Sequence, residues 1–160
     1  YFNNKKKPKL IAAIDISKEA IKLCKYEFGN KIIFIKDNII KTKLKSSSFD
    51  IIICYYVLNN LKEDERIKAV KEMHRLLKNK GKILLEDLEI KDFRQKEGKI
   101  IKEQNTIIKN NNLIHHFFTR EELNQLFNKF KSVKIREKSF SPFRNNKKIQ
   151  RKLISAVIKK

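Results

Sequence analysis

Several short apolar runs in this sequence end in residues that can do polar chemistry. Asp15 follows the run 10–14, and Asp37 with Asn38 follows the run 32–35. Tyr55, Tyr56, Asn59 and Asn60 follow the run that starts at 50, and Glu86 with Asp87 closes the run 82–87. An acidic side chain at such a point can accept hydrogen bonds from both hydroxyls of a ribose. A second one, with a neighbouring amide, can read the amino edge of an adenine. Together they describe a pocket for a nucleoside-bearing cofactor. Singly, each is as readily a helix cap or a turn former.

Ligands of open parallel sheets bind outside the carboxyl ends of the strands, so the elements must place all these residues on one edge. The apolar runs 10–14, 32–35, 50–55 and 82–87 read as buried strands. Between the first two, Ser17 is a helix N-cap, and Ala20, Ile21, Cys24 and Phe28 share a face that Gly29-Asn30 closes. Residues 62–77 form an amphipathic helix with Ile67, Val70, Met73 and Leu77 on one face and His74 beside them, terminated by Asn79-Lys80-Gly81. Segment 88–118 is polar and irregular, longer than an ordinary connection. Thr119 then caps a helix with Leu123, Leu126, Phe127 and Phe130 on its apolar face. Residues 132–139 and 152–158 close the chain as a strand pair, joined by a polar loop over 141–148. Strand–helix alternation followed by an antiparallel pair predicts an α/β sandwich with a mostly parallel sheet.

The chain has 160 residues, enough for one domain with a real core, and 1–160 reads as one domain. No apolar run approaches the ~20 residues of a membrane helix. Cys24 and Cys54 stand in no metal-binding or disulfide pattern, so no metal is expected and reducing cytoplasm is the expected compartment. The formal charge is +21, from 39 basic and 18 acidic residues. That suggests a polyanion partner such as nucleic acid. Yet 32 of the basic residues are Lys and only 7 are Arg, beside 24 Ile and 15 Asn but 5 Ala, 3 Gly and 2 Pro. A/T-rich codons give the same composition with no selection for a polyanion, and phosphate recognition favours Arg forks over Lys points.

The order and spacing of these motifs carry a resemblance. Ile14-Asp15-Ile16-Ser17-Lys18-Glu19-Ala20 resembles the second strand and helix start of class I S-adenosylmethionine-dependent methyltransferases. Ile35-Lys36-Asp37-Asn38 resembles their adenine-side motif. The stretch from Ser48-Phe49-Asp50-Ile51 to Asn59-Asn60-Leu61 resembles their fourth strand and its loop. Leu76-Leu77-Lys78-Asn79-Lys80-Gly81 resembles the helix end before their fifth strand. The resemblance implies a Rossmann-like three-layer sandwich and S-adenosylmethionine as cofactor. It implies that Asp15 holds the ribose, Ile16 packs on the adenine, and Asp37 and Asn38 face its amino edge. It puts Cys54 and Tyr55 near the methionine moiety, although Cys54 is as simply a core residue. The family's Gly-rich turn precedes the Asp15 position by about 20 residues, since only Gly permits its close backbone approach. Here glycines stand only at 29, 81 and 98. The expectation is a domain whose first strand is missing, inactive as a fragment, belonging to an active parent.

On the substrate side the resemblance points to Tyr56, Asn59, Arg94 and His116. His115 and His116 are weak candidates for a general base, since His titrates near neutral pH. Asp92-Phe93-Arg94, Gly98 and His115-His116-Phe117-Phe118-Thr119 resemble a subgroup of small methyltransferases. A small-molecule acceptor is the leading expectation. The alternatives are tRNA, from the charge and a loose similarity of 57–77 and 116–127 to tRNA methyltransferases, and a non-catalytic binding subunit.

Overall fold

The computed structural model describes residues 8–110 and 112–160, so most of the polar stretch 3–9 lies outside it. The chain folds as two compact units, one running to Lys43 and one of Leu44–Lys160.

The smaller unit is a strand–helix–strand turn: β1 (Ala12–Asp15), α1 (Lys18–Phe28) and β2 (Ile33–Lys36). β1 and β2 pair in parallel, with Ala12 opposite Ile33 and Asp15 opposite Lys36. Ser17 caps α1, its Oγ accepting from the Ala20 amide at 3.1 Å. Gly29 ends the helix at φ +58°, a conformation that costs glycine little, and its N–H returns to the Lys25 carbonyl. Of the expected apolar face of α1, Ile21 is buried and Phe28 is 45% exposed.

The larger unit contains, in chain order, β3 (Phe49–Tyr55), α2 (Glu63–Leu76), β4 (Leu77–Leu88), β5 (Lys99–Ile100), β6 (Thr106–Ile108), β7 (Ile114–His116), α3 (Arg120–Leu126), β8 (Ser132–Phe140), β9 (Phe143–Arg144), β10 (Lys147–Lys148) and β11 (Arg151–Lys159). Its main sheet runs β3-β4-β11-β8. β3 and β4 are parallel, while β11 is antiparallel to both β4 and β8. This sheet is therefore mixed: β3/β4 is its parallel pair among the described residues, and the expected antiparallel pair closes the chain. Leu58, Met73, Leu77, Ile83, Leu85, Leu123, Phe127 and Ile154, from this sheet and the segments packed on it, are fully buried.

Two local readings need correction. α2 buries Arg66, Ala69, Val70, Met73 and Leu76, whereas Ile67 is 42% exposed. Ile67 sits one position, and so about 100° of helix turn, from Arg66 in that stripe. The helix also stops at Leu76, before Asn79-Lys80-Gly81, and enters β4 directly; Lys80, at φ +64°, lies in an irregular stretch of that strand. Gly81 lies inside the strand, where a Cβ would meet the Lys78 carbonyl at 2.9 Å and Leu77 Cδ2 at 3.0 Å. The β3/β4 register shifts nearby, between Phe49 and Ile51, the usual setting for a strand glycine.

The segment 88–118 is more ordered than its composition suggests. It forms a three-stranded antiparallel sheet, β5-β6-β7. Asp92 caps a short 3-10 turn over Phe93–Lys96, its side chain accepting from the Arg94 amide. Gly98 then lets two backbones close: a Cβ there would lie 2.7 Å from the Ile108 carbonyl. Ile107 and Phe117 pack with Leu88, Leu153 and Ile90, fastening this small sheet to β4 and β11. Among the described residues, no helix is long and apolar enough to cross a membrane.

Candidate functional site

In the smaller unit, parallel pairing brings the ends of β1 and β2 together. The Asp37 amide donates to the Asp15 carbonyl at 3.1 Å. Asp15 is exposed, and its Oδ1 accepts from the Ser17 amide at 2.8 Å. Ile16 beside it is 68% exposed, a bare apolar surface next to a carboxylate. Asp37 has a second duty: its two oxygens accept from the amides of Asn38 and Lys43, both at 2.9 Å, which staples the loop after β2. Asn38 is exposed, its side-chain oxygen accepting from the Ile40 amide. All four expected residues of this edge, Asp15, Ile16, Asp37 and Asn38, thus share one corner.

In the larger unit, a cavity of about 440 Å³ opens where β3 and β4 end. Tyr56, Asn59, Asn60, Leu88, Arg94, His115 and Arg151 line it. Three of the expected substrate residues, Tyr56, Asn59 and Arg94, come together there. Tyr56 holds φ at +53°, a conformation uncommon for a bulky residue, while its amide donates to the Glu86 carbonyl at 2.9 Å. That turn aims the chain from β3 into the loop carrying Asn59 and Asn60.

Beneath this loop lies Asp87, fully buried. Its carboxylate accepts from the amides of Asn59 at 3.2 Å and Leu88 at 3.0 Å. The Asn59 side-chain amide, oriented to satisfy both ends, donates to Asp87 Oδ1 and to the Tyr56 carbonyl at 3.1 Å each. Burial outweighs these donors and pushes the Asp87 carboxyl up to about 7. Cys54 is 3% exposed, and burial with the Asp87 charge pushes its thiol up to about 12. It is a core residue with no thiolate at neutral pH. Tyr55 is 50% exposed.

The two adjacent histidines part company, because successive strand residues face opposite sides. His115 lines the cavity, and its buried Nδ1 has no hydrogen-bond partner among the described residues. Burial and the charges of Lys109 and Arg94 hold its ring below the usual imidazole range. His116 does not line the cavity. It is buried, with Nδ1 2.8 Å from Thr106 Oγ1 and Nε2 2.8 Å from Glu122 Oε1. Arg66, 3% exposed, joins the same network through Glu103 at 2.7 Å. That network holds β6, β7, α2 and α3 together. Arg151 and Arg66 had no local signal, since each meets its charged partner only through the fold; Asn60, one of the residues at the end of β3, lines the cavity as well.

A family model described as a methyltransferase domain matches residues 2–85. Human tRNA N(3)-cytidine methyltransferase METTL2B is 32% identical over 123 residues, covering 71% of this chain and 32% of that protein. The chain therefore spans about a third of the length of this curated relative. A SAM-dependent methyltransferase from Methanosarcina mazei superposes with a TM-score of 0.73 at 24% identity, over 92% of this chain and 81% of that one. The N-methyltransferase NodS from Bradyrhizobium japonicum, solved with S-adenosyl-L-homocysteine, gives 0.66 at 14% identity, over 94% and 66%. The chain belongs to the methyltransferase-domain family and has the Rossmann-like fold of class I S-adenosylmethionine-dependent methyltransferases.

Proposed function

We propose that the protein containing this chain transfers a methyl group from S-adenosylmethionine to a nucleotide of tRNA. The residues present fit the adenosine half of that cofactor: an exposed carboxylate at Asp15, bare Ile16 beside it, and Asp37 with Asn38 one backbone hydrogen bond away. No glycine precedes Asp15 in these residues, so the backbone cradle for the methionine half is not among them. When bound, the cofactor supplies an electrophilic methyl on a sulfonium. Asp15 accepts from the ribose hydroxyls, Ile16 covers the adenine face, and the 37–38 corner meets its amino edge. The cavity beside Tyr56 and Asn59 seats and desolvates the acceptor. A ring nitrogen with a free lone pair has no proton to lose before it takes the methyl, which would leave the cofactor as its thioether, so positioning would carry the step and neither His115 nor His116 would be required as a base.

The observation that carries the tRNA reading is the extent of the relationship to the tRNA methyltransferase. Its alignment covers 71% of the chain, so wherever it begins it includes Tyr56, Asn59 and Arg94. The test is transfer of labelled methyl by the full-length protein into a tRNA transcript at low salt. Label should enter the tRNA, and Asp15→Ala should weaken cofactor binding about 10-fold or more, the worth of a hydrogen bond to a charged group. Label entering only small nucleophiles would instead support the small-molecule acceptor. No cofactor binding by the full-length protein would support the non-catalytic reading.

A further inference from the structure

The cavity of the larger unit holds more positive charge than its own acids neutralise. Arg94 and Arg151 both line it, and both guanidinium groups lie over the Phe93 ring, at 5.5 and 5.9 Å from its centroid. Between them stands one carboxylate, Asp92, 1% exposed. Its Oδ1 accepts from the Arg94 amide at 3.1 Å. Its Oδ2 accepts from the Lys152 amide at 2.8 Å and from Arg151 Nε at 3.2 Å. Asp92 is thus engaged by backbone and by Arg151. The Arg94 guanidinium approaches it only to 3.9 Å and makes no side-chain hydrogen bond among the described residues. The other nearby charges are paired off: Glu97 with Lys109 and Arg144, and Glu86 with Lys138. His115 adds a buried Nδ1 without a partner among the described residues.

A half-buried guanidinium with idle donors is costly unless something accepts from it. Its planar fork matches the oxygens of a phosphate bidentately. We infer that this cavity is a phosphate-reading pocket, in which Arg94, supported by Arg151 and His115, holds a phosphate group of the acceptor. The inference rests on the methyltransferase reading and gives its acceptor a chemical class. Arg151 takes the position nearer Asp92, so Arg94 is the residue whose donors the fold leaves for a ligand. Burial and the neighbouring Arg151 charge both disfavour a second cation at Arg94, and a bound phosphate relieves that repulsion.

The experiment is calorimetric titration of the full-length protein with cytidine 5′-monophosphate and, separately, with cytidine. The monophosphate should bind about 10-fold or more tightly than the nucleoside, from one charge-assisted bidentate contact. Arg94→Gln should erase most of that preference. Arg94→Lys should restore only part of it, because a point charge lacks the fork. Affinity for S-adenosylmethionine, measured on the same samples, should stay within about twofold, which separates the pocket from a folding defect. Equal binding of the two probes by the wild type, or an undiminished preference in Arg94→Gln, overturns the pocket. Methyl transfer to tRNA separates the two readings. If the preference holds but tRNA is not methylated, the pocket stands for a small phosphorylated acceptor and the tRNA reading falls. If tRNA is methylated with the same KM by wild type and Arg94→Gln, the tRNA reading stands and the pocket falls.

Discussion

Asp87 shows how one buried side chain can tie the site to pH. It is fully buried under the Tyr56–Asn60 loop and supports that loop through the Asn59 amide. Its carboxyl is raised from 3.8 to about 7, so the folded protein holds a proton there that the unfolded chain has already released. Folding stability from this group is therefore full below about pH 4 and is lost as pH rises to about 7. Other carboxyls act the opposite way: ion pairing with Arg66 and with Lys109 holds Glu103 and Glu97 below the usual range. The clean observable is a difference. In urea unfolding at pH 4.5, 5.5, 6.5 and 7.5, wild type should lose stability relative to Asp87→Asn as pH rises, then level off. A difference that stays flat across those four values would mean that Asp87 titrates as it does in the unfolded chain.

At the scale of elements, the small sheet β5-β6-β7 depends on one loop residue. Glu103 lies between β5 and β6, yet its carboxylate accepts from the Glu63 amide at 3.2 Å, the first residue of α2. It also accepts from Arg66 at 2.7 Å and from Thr106 Oγ1 at 3.0 Å. The N-cap of α2 is Lys62, whose side chain has no acceptor to offer the helix amides, so Glu103 takes that role at the Glu63 amide. Glu103→Ala strips the charge partner from Arg66 and should cost about 3 kcal/mol of unfolding free energy in chemical denaturation. A loss under about 0.5 kcal/mol, the scale of an exposed pair, would show that Glu122 at 3.8 Å already suffices. The same residue marks the limit of what the sequence discloses. Strands at 12–15, 49–55 and 151–159 were legible because apolar runs or alternation persist over their length. β5, β6 and β7 span two or three residues each, too short for any period to show. Asp15, Asp37, Tyr56 and Asn59 were legible because they stand where strands end. Arg151 was not: it opens a strand 59 residues after Asp92, and nothing local to it signals the partnership. His115 and His116 were legible as a pair, but only strand geometry says which one faces the cavity.

For the whole molecule the open choice is whether its charge is a footprint or a by-product of composition. Most basic residues are Lys, which codon bias alone can supply, and a surface so charged binds polyanions weakly whatever its history. The two origins differ in how they respond to salt. A surface organised to meet a phosphate backbone releases condensed counterions from each contact, so affinity falls as a steep power of salt concentration. Scattered lysines that meet few phosphates at once give a shallow dependence. The slope of log affinity for tRNA against log salt should be about −3 or steeper, which is a loss of roughly 60-fold or more between 50 and 200 mM. Filter binding of the full-length protein to a tRNA transcript across that range measures it. Arg94→Gln should make the slope shallower by about one, because a residue that touches phosphate removes one counterion's worth of dependence. A slope shallower than about −1 in the wild type would assign the +21 charge to composition, and the tRNA reading would then rest on the sequence relationship alone. A steep slope unchanged by Arg94→Gln would locate the footprint on other lysines and arginines and leave the cavity to an acceptor without phosphate.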